Sequence, residues 1–258
     1  MSNLAIGCTD PQAIASESGE LQAAQVQALA SHREPMRLTR QMRTVIALVV
    51  ALSGPAVLVW GAKRLFGDAP TFGISIALQL LYFGIAGFVL WIVLRKERLP
   101  LASIGLRRPR WSTLLIAGLL WLISLQLLPL LTGPLLDAGG TATPEGLSRL
   151  ASFPIWFRVV QALTGGAIEE ILYRGYAIER LTTITGRPWL AAVIAAIGFG
   201  IAHVPSWGIR YAVIADLPFG IVATLCYLWR RDLLANILAH DVGLLVALLS
   251  ISSGAGPG

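Results

Sequence analysis

Long apolar runs separated by short polar segments dominate the chain from about residue 44 onward. Several runs approach the roughly 20 residues that an α-helix needs to cross a bilayer. They lack the strict apolar–polar alternation of outer-membrane barrel strands, so the pattern predicts an all-α, polytopic membrane helix bundle. The predicted spans are about 44–61, 72–94, 112–132, 154–182, 188–204, 209–229 and 232–250, which makes about seven transmembrane helices.

Composition and charge agree with a membrane protein. Of the 258 residues, 55% are hydrophobic and 13% are charged, and the mean hydropathy is +0.71. The net charge of +6 arises from Lys and Arg that cluster before the first span and after the second, fourth and sixth spans. This positive-inside pattern places the N-terminus in the cytoplasm. No aromatic platform accompanies the cations, so nucleic acid is excluded as a partner.

The distribution of polar residues divides the chain into three parts. Residues 1–43 are rich in Ala, Gln and Ser and are interpreted as a mobile cytoplasmic tail. Residues 44–132 carry three N-terminal transmembrane helices that are nearly free of charge. Residues 150–250 form a core of four helices that holds most polar residues at membrane depth, so we expect the function to reside there.

The segment "AIEEILYRG" places charges inside the fourth predicted span. Each ionisable residue within a bilayer costs on the order of 2.5–3.5 kcal/mol on insertion scales. Glu170 and Arg174 are four residues apart and can neutralise each other on one helix face. Glu169 projects in another direction and has no such partner in its own helix. Because a structural ion pair needs only one glutamate, Glu169 is a candidate functional residue.

Two of the three histidines lie within predicted spans. The motif "FGIAH" places Phe199 and His203 on one helix face, and "NILAH" does the same for Asn236 and His240. With a rise of about 1.5 Å per residue, Glu169, His203 and His240 lie roughly 20, 22 and 12 Å from the cytoplasmic ends of their helices. The sequence therefore predicts that three helices bring these side chains to one polar pocket.

The chemistry of this pocket has several interpretations. Two histidines and a glutamate can bind zinc, or the glutamate can serve as a general base while the imidazoles stabilise an oxyanion. Either arrangement suggests hydrolysis. The same groups could form the proton relay of a small transporter, although no inverted repeat supports that alternative. They could also pin helices together without chemistry.

The ordered motifs "EEILYRG", "FGIAH" and "NILAH" resemble the CPBP family of intramembrane proteases, which includes the Rce1-like CAAX prenyl endopeptidases and the bacterial Abi proteins. The resemblance covers roughly residues 150–250. It implies an intramembrane endopeptidase acting on membrane-associated or prenylated, CAAX-type substrates, with a peptide or lipid-anchored protein and membrane lipid as partners. A bacterial inner membrane is the expected location.

The resemblance also implies roles for the matched residues. Glu169 would activate water with assistance from His203, and His240 would hold the oxyanion. The residues implied to support the motif helices or pack beside the site are Glu170, Arg174 and Phe199. The family pattern does not decide whether a metal takes part. We favour a metal-independent glutamate mechanism; zinc, if bound, would use Glu169, His203 and His240.

One position departs from the family pattern. The family commonly has Asn or Asp four residues after the last histidine, where this chain has Leu244. Asn236 and Asp241 are nearby polar candidates, although Asp241 points about 100° away from His240. The departure leaves a non-catalytic immunity or scaffold protein as the alternative function. Asp216, in the sixth span, matches no motif and is expected to pin helices or to mark the end of a loop, rather than to act in catalysis.

Overall fold

The computed structural model describes residues 41–67, 71–138, 150 and 152–250. These residues form helices and their connections, without a strand, and the bundle that carries the site begins at Thr44. The long helices are α1 (Gln41–Phe66), α2 (Phe72–Lys96), α3 (Trp111–Asp137), α4 (155–185), α5 (Pro188–Trp207), α6 (Ile209–Arg230) and α7 (Leu233–Ser250). The predicted tail lies outside the described residues, apart from 41–43 at the start of α1.

The all-α, polytopic class is confirmed, with six candidate spans in the described residues where about seven were predicted. The helices α1, α2, α3, α5, α6 and α7 are each long and apolar enough to cross a membrane. The predicted span at 154–182 lies within α4, which does not meet this description. The charged residues of α4 are Arg158, Glu169, Glu170, Arg174, Glu179 and Arg180.

The polar helix α4 is accommodated because other helices surround its C-terminal half. It packs against α2, α5 and α7, and the segment 172–178 is buried throughout. Charged side chains there face protein groups that can pair with them, rather than lipid. Glycine permits the closest of these approaches. A Cβ at Gly166 would collide with Asp241 Oδ1 and lie 3.1 Å from His240 Cγ, so a side chain at position 166 would displace α7 from α4.

Part of α4 has π-helical geometry. The segment Glu170–Ile178 forms wider turns than an α-helix and begins directly after Glu169. Further π segments occur at Ile92–Lys96, Leu122–Leu127 and Ala212–Asp216. Such segments often occur at functional sites. The motif glutamates therefore stand at a change of helical pitch.

A buried carboxylate ties α1, α2 and α4 together at one end of the bundle. Glu97, which follows α2, accepts hydrogen bonds at Oε1 from the Thr44 hydroxyl at 2.9 Å and the Tyr176 hydroxyl at 3.0 Å. Its Oε2 accepts from Arg180 Nε at 2.8 Å. Only 4% of Glu97 and 6% of Arg180 are exposed. Because these bonds hold α2 against α4, they help to position the α2 side chains that reach Glu169.

Candidate active site

The fully buried Glu170 joins α4 to α7. Its Oε1 accepts hydrogen bonds from Arg174 Nη1 at 2.9 Å and from His240 Nδ1 at 3.1 Å. Its Oε2 accepts from Asn236 Nδ2 at 3.2 Å. These four residues are called the Glu170 hub below. The predicted pair of Glu170 and Arg174 is present, and the hub shows that a buried carboxylate is retained where several donors converge.

Arg174 extends the hub to α5 and α6. Its Nη2 donates to the Gly220 carbonyl oxygen at 3.2 Å, and its guanidinium lies 4.2 Å from the centre of the Phe199 ring. Phe199 in turn packs against His203, with ring centres 4.4 Å apart. A cation over an aromatic face gains most when both groups are desolvated. Arg174 therefore packs on Phe199 and Phe199 packs on His203, so these contacts help to hold the His203 ring in place.

The carboxylate of Glu169 faces both predicted histidines. Its Oε1 accepts a hydrogen bond from the Tyr82 hydroxyl at 3.2 Å. Its Oε2 lies 3.6 Å from His203 Nε2 and 3.9 Å from His240 Nε2. Both distances exceed those of direct hydrogen bonds. The structure thus brings Glu169, His203 and His240 together around one carboxylate oxygen, which has no hydrogen-bond partner among the described residues.

Both imidazoles are held in the same orientation. His203 Nδ1 lies 2.8 Å from the Phe199 carbonyl oxygen, and because a carbonyl only accepts, Nδ1 carries the proton. His240 Nδ1 donates likewise to Glu170. Each ring therefore presents Nε2 toward Glu169. A hydrogen bond at one ring nitrogen determines what the other can do, so the backbone of α5 and the Glu170 hub orient the two imidazoles.

Two cavities meet at this cluster. Cavity A, of about 510 Å³, lies among α1, α2, α4 and α5. Cavity B, of about 300 Å³, lies among α3, α4, α5, α6 and α7. Tyr82, Glu169 and His203 line both cavities, whereas His240 lines cavity B. These volumes are typical of small-molecule or side-chain binding sites, and Glu169 can be reached from either side.

The polar candidates for the position of Leu244 lie away from both cavities. Asn236 donates to Glu170 and, at 2.8 Å, to the Ala223 carbonyl oxygen. Asp241 is buried against Gly166. Leu244 itself lines cavity B. Asn236 thus serves the hub, and the described wall of cavity B is apolar at position 244.

The zinc alternative requires three donor side chains placed around one metal ion. Within the described parts of the chain, no group of three or more His, Cys, Asp or Glu side chains is placed to hold a metal ion. Glu169, His203 and His240 are neighbours, but as arranged they do not form such a group.

The sequence analysis missed the contribution of α2. Tyr82 binds the candidate base, and the buried Gln79 donates to Thr164 Oγ1 at 2.8 Å, which ties α2 to α4. Both residues lie in the apolar second span, which carries no recognisable motif. The available signal was the presence of a glutamine and a tyrosine three residues apart in an otherwise apolar run, since such residues share a helix face.

Comparison with known proteins agrees with the motifs. No curated protein and no solved structure matches the chain. Residues 151–242, about a third of the chain, match the family model described as type II CAAX prenyl endopeptidase Rce1-like, a family of proteases. The matched stretch contains Glu169, His203 and His240. The match supports the resemblance drawn from the three motifs, and residues 151–242 of this multi-pass membrane protein are similar to the Rce1-like family.

Proposed function

We propose that the chain is an intramembrane endopeptidase that hydrolyses peptide bonds with a water molecule activated by Glu169. The main support for this proposal is that Glu169, His203 and His240 lie close together where two cavities adjoin. The match to a protease family supports it independently. Binding space on both sides of the reactive carboxylate favours cleavage within a chain.

The first chemical step uses the two oxygens of Glu169 differently. Tyr82 donates to Oε1, so Oε2 is the oxygen available to take a proton. A water molecule between Oε2 and the Nε2 atoms of His203 and His240 would lie within hydrogen-bonding reach of all three groups. Glu169 accepts a proton from this water, and the water oxygen attacks the amide carbon.

In the second step, the tetrahedral intermediate collapses to products. Its oxyanion requires hydrogen-bond donors, and protonated Nε2 of His240 or His203 would supply them. The carbon–nitrogen bond then breaks, and Glu169 returns its proton to the leaving nitrogen. The Glu170 hub and the Phe199 carbonyl orient the imidazoles throughout.

The location of the site among membrane helices indicates the class of substrate. The cavities lie among helices that include the candidate spans, so a peptide or lipid-anchored protein held in the membrane would reach Glu169 between helices. The family name suggests prenylated CAAX-type chains. Arg and Lys in alternate loops fit a bacterial inner membrane with the N-terminus in the cytoplasm.

The scaffold alternative has less support. A purely structural cluster would be expected to satisfy its own polar groups, as the Glu170 hub largely does. Glu169 instead lines both cavities, with 16% of its side chain exposed and with Oε2 lacking a partner among the described residues. That arrangement favours a role toward a bound molecule.

Tyr82→Phe is expected to lower kcat about tenfold, because it removes a hydrogen bond to the charged base. The phenyl ring retains the packing against α4, so the melting temperature in detergent should change little. The comparison is with Tyr211→Phe, which removes a phenol that also lines cavity B but has no hydrogen bond to Glu169 in the described structure. An equal loss in both variants would contradict the role of Tyr82.

The proposed function is tested with a peptide-library cleavage assay on purified wild-type protein and His203→Ala. Cleavage is expected in the wild type and should fall by about 10²–10⁴-fold in the variant. His32→Ala, which changes the one histidine outside residues 44–258, is the matched control and should remain active. Metal analysis accompanies the assay. Stoichiometric zinc that is lost with His203 would replace the glutamate mechanism with a metal-dependent one.

A further inference from the structure

Asp216 lines cavity B and is not used by the mechanism above. It ends the π segment Ala212–Asp216 of α6. Its Oδ2 is buried and has no hydrogen-bond partner among the described residues. A residue that pins helices would bond to a neighbouring helix through such an atom. The expected helix-pinning role is therefore not supported, and the buried oxygen requires another explanation.

The neighbouring imidazoles do not provide that explanation. His203 directs Nδ1 to the Phe199 carbonyl and Nε2 to Glu169. His240 directs Nδ1 to Glu170 and Nε2 to Glu169. All four ring nitrogens thus face other acceptors. Asp216 is near enough to interact electrostatically with both histidines, but neither ring donates to it.

Apart from its two imidazoles, cavity B offers no cationic group in its described lining. The described lining includes the carboxylates of Glu169 and Asp216 but no Lys or Arg. Three arginines on adjoining elements donate to other groups: Arg174 to Glu170 and Gly220, Arg210 to the Leu135 carbonyl oxygen at 2.6 Å, and Arg158 to the Leu248 carbonyl oxygen at 2.9 Å. A buried carboxylate without a cation is costly. A positively charged occupant of cavity B would remove that cost.

We propose that Asp216 binds the positively charged side chain of a lysine or arginine in the substrate, with that residue seated in cavity B. This inference rests on the proposed peptidase function and adds a specificity determinant to it. The apolar wall suits the aliphatic stem of such a side chain. The residues that form this wall include Leu125, Leu128, Leu244 and Leu248. Long cationic side chains bury their methylene stems while the charged end reaches a polar partner.

The test uses pairs of apolar peptides with blocked termini, identical except for lysine or norleucine at one position, which is moved stepwise along the peptide. Full-length wild type, Asp216→Asn and the matched control Asp137→Asn are compared in detergent. Asp137 is an exposed aspartate at the end of α3, outside the lining of both cavities. Asp216→Asn keeps the shape of the side chain and removes its charge.

At one position, lysine should lower KM about tenfold relative to norleucine in wild type and Asp137→Asn, as expected for a hydrogen bond to a charged group. In Asp216→Asn the two KM values should be equal, with kcat for the norleucine peptide and the melting temperature nearly unchanged. Asp216→Glu should retain part of the preference. No lysine preference in the wild type, or an undiminished one in Asp216→Asn, would overturn the inference.

A binding measurement separates this inference from the proposed function. Fluorescence anisotropy with labelled peptides on the Glu169→Gln background reports affinity without turnover. A lysine preference that depends on Asp216 in this assay supports the inference even if the wild type cleaves nothing, a result that would count against the peptidase function. Equal binding of the lysine and norleucine peptides at every position rejects the inference whether or not cleavage occurs.

Discussion

Glu169→Gln is expected to abolish peptide cleavage while leaving the fold intact. Glutamine has nearly the shape of glutamate, and its amide oxygen can still accept the hydrogen bond from Tyr82. It cannot take a proton from water. A general base typically contributes 10²–10⁴-fold to a rate, so about that loss is expected in kcat. The Glu170 hub is unchanged in this variant, and the melting temperature should stay near the wild-type value.

The measurement is the cleavage rate of a peptide identified with the wild type, followed together with thermal unfolding in the same detergent. Asp137→Asn controls for the general effect of converting a carboxylate to an amide, because Asp137 lies outside both cavities. Full activity in Glu169→Gln would show that another group activates water. A large drop in melting temperature would show instead that Glu169 holds the bundle together.

Arg174→Ala is expected to destabilise the protein strongly. The substitution leaves the fully buried Glu170 without its cation and removes the guanidinium stacked on Phe199. Breaking a buried ion pair from one side costs about 3–5 kcal/mol, which corresponds to a fall on the order of 10 °C in melting temperature. Cleavage should fall as well, because Glu170 also orients His240.

The double variant Glu170→Gln with Arg174→Met separates the two effects. It removes both charges and keeps similar volumes, so no unpaired buried charge remains and much of the melting temperature should return. His240 loses its charged acceptor in this protein, and activity should stay low. A wild-type melting temperature in Arg174→Ala, measured by thermal unfolding in detergent, would mean that the hub does not stabilise the bundle.

Hydrophobic runs were sufficient to locate most of the fold, and α4 shows what they leave undetermined. The segments around α1, α2, α3, α5, α6 and α7 were predicted because their composition alone suits a bilayer. Hydropathy is a local quantity, whereas the lipid exposure of a helix depends on which helices pack around it. The segment 172–178 is buried by partners distant in sequence, so the hydropathy of α4 alone does not decide how this helix lies in a membrane.

For the site too, some residues could be predicted from single helices, whereas others depend on how the helices pack. Helical depth and spacing predicted that Glu169, His203 and His240 converge, because each lies in a helix whose end could be located. Tyr82 and Asp216 were not predicted as site residues. Their proximity to the site follows from how α2 and α6 are rotated and packed, and neither the pattern of one helix nor a motif encodes that rotation.

The Glu170 hub also bears on how the protein is made. Glu170 and Arg174 are synthesised some sixty residues before Asn236 and His240, so they enter the membrane with only each other as partners. Until α7 inserts, His203 and Glu169 lack their second imidazole, and Glu170 lacks two of its three hydrogen-bond donors. A nascent or truncated chain therefore has neither a completed interior nor a completed site. Under the proposed function, peptidase activity is therefore expected only once α7 has joined the other helices.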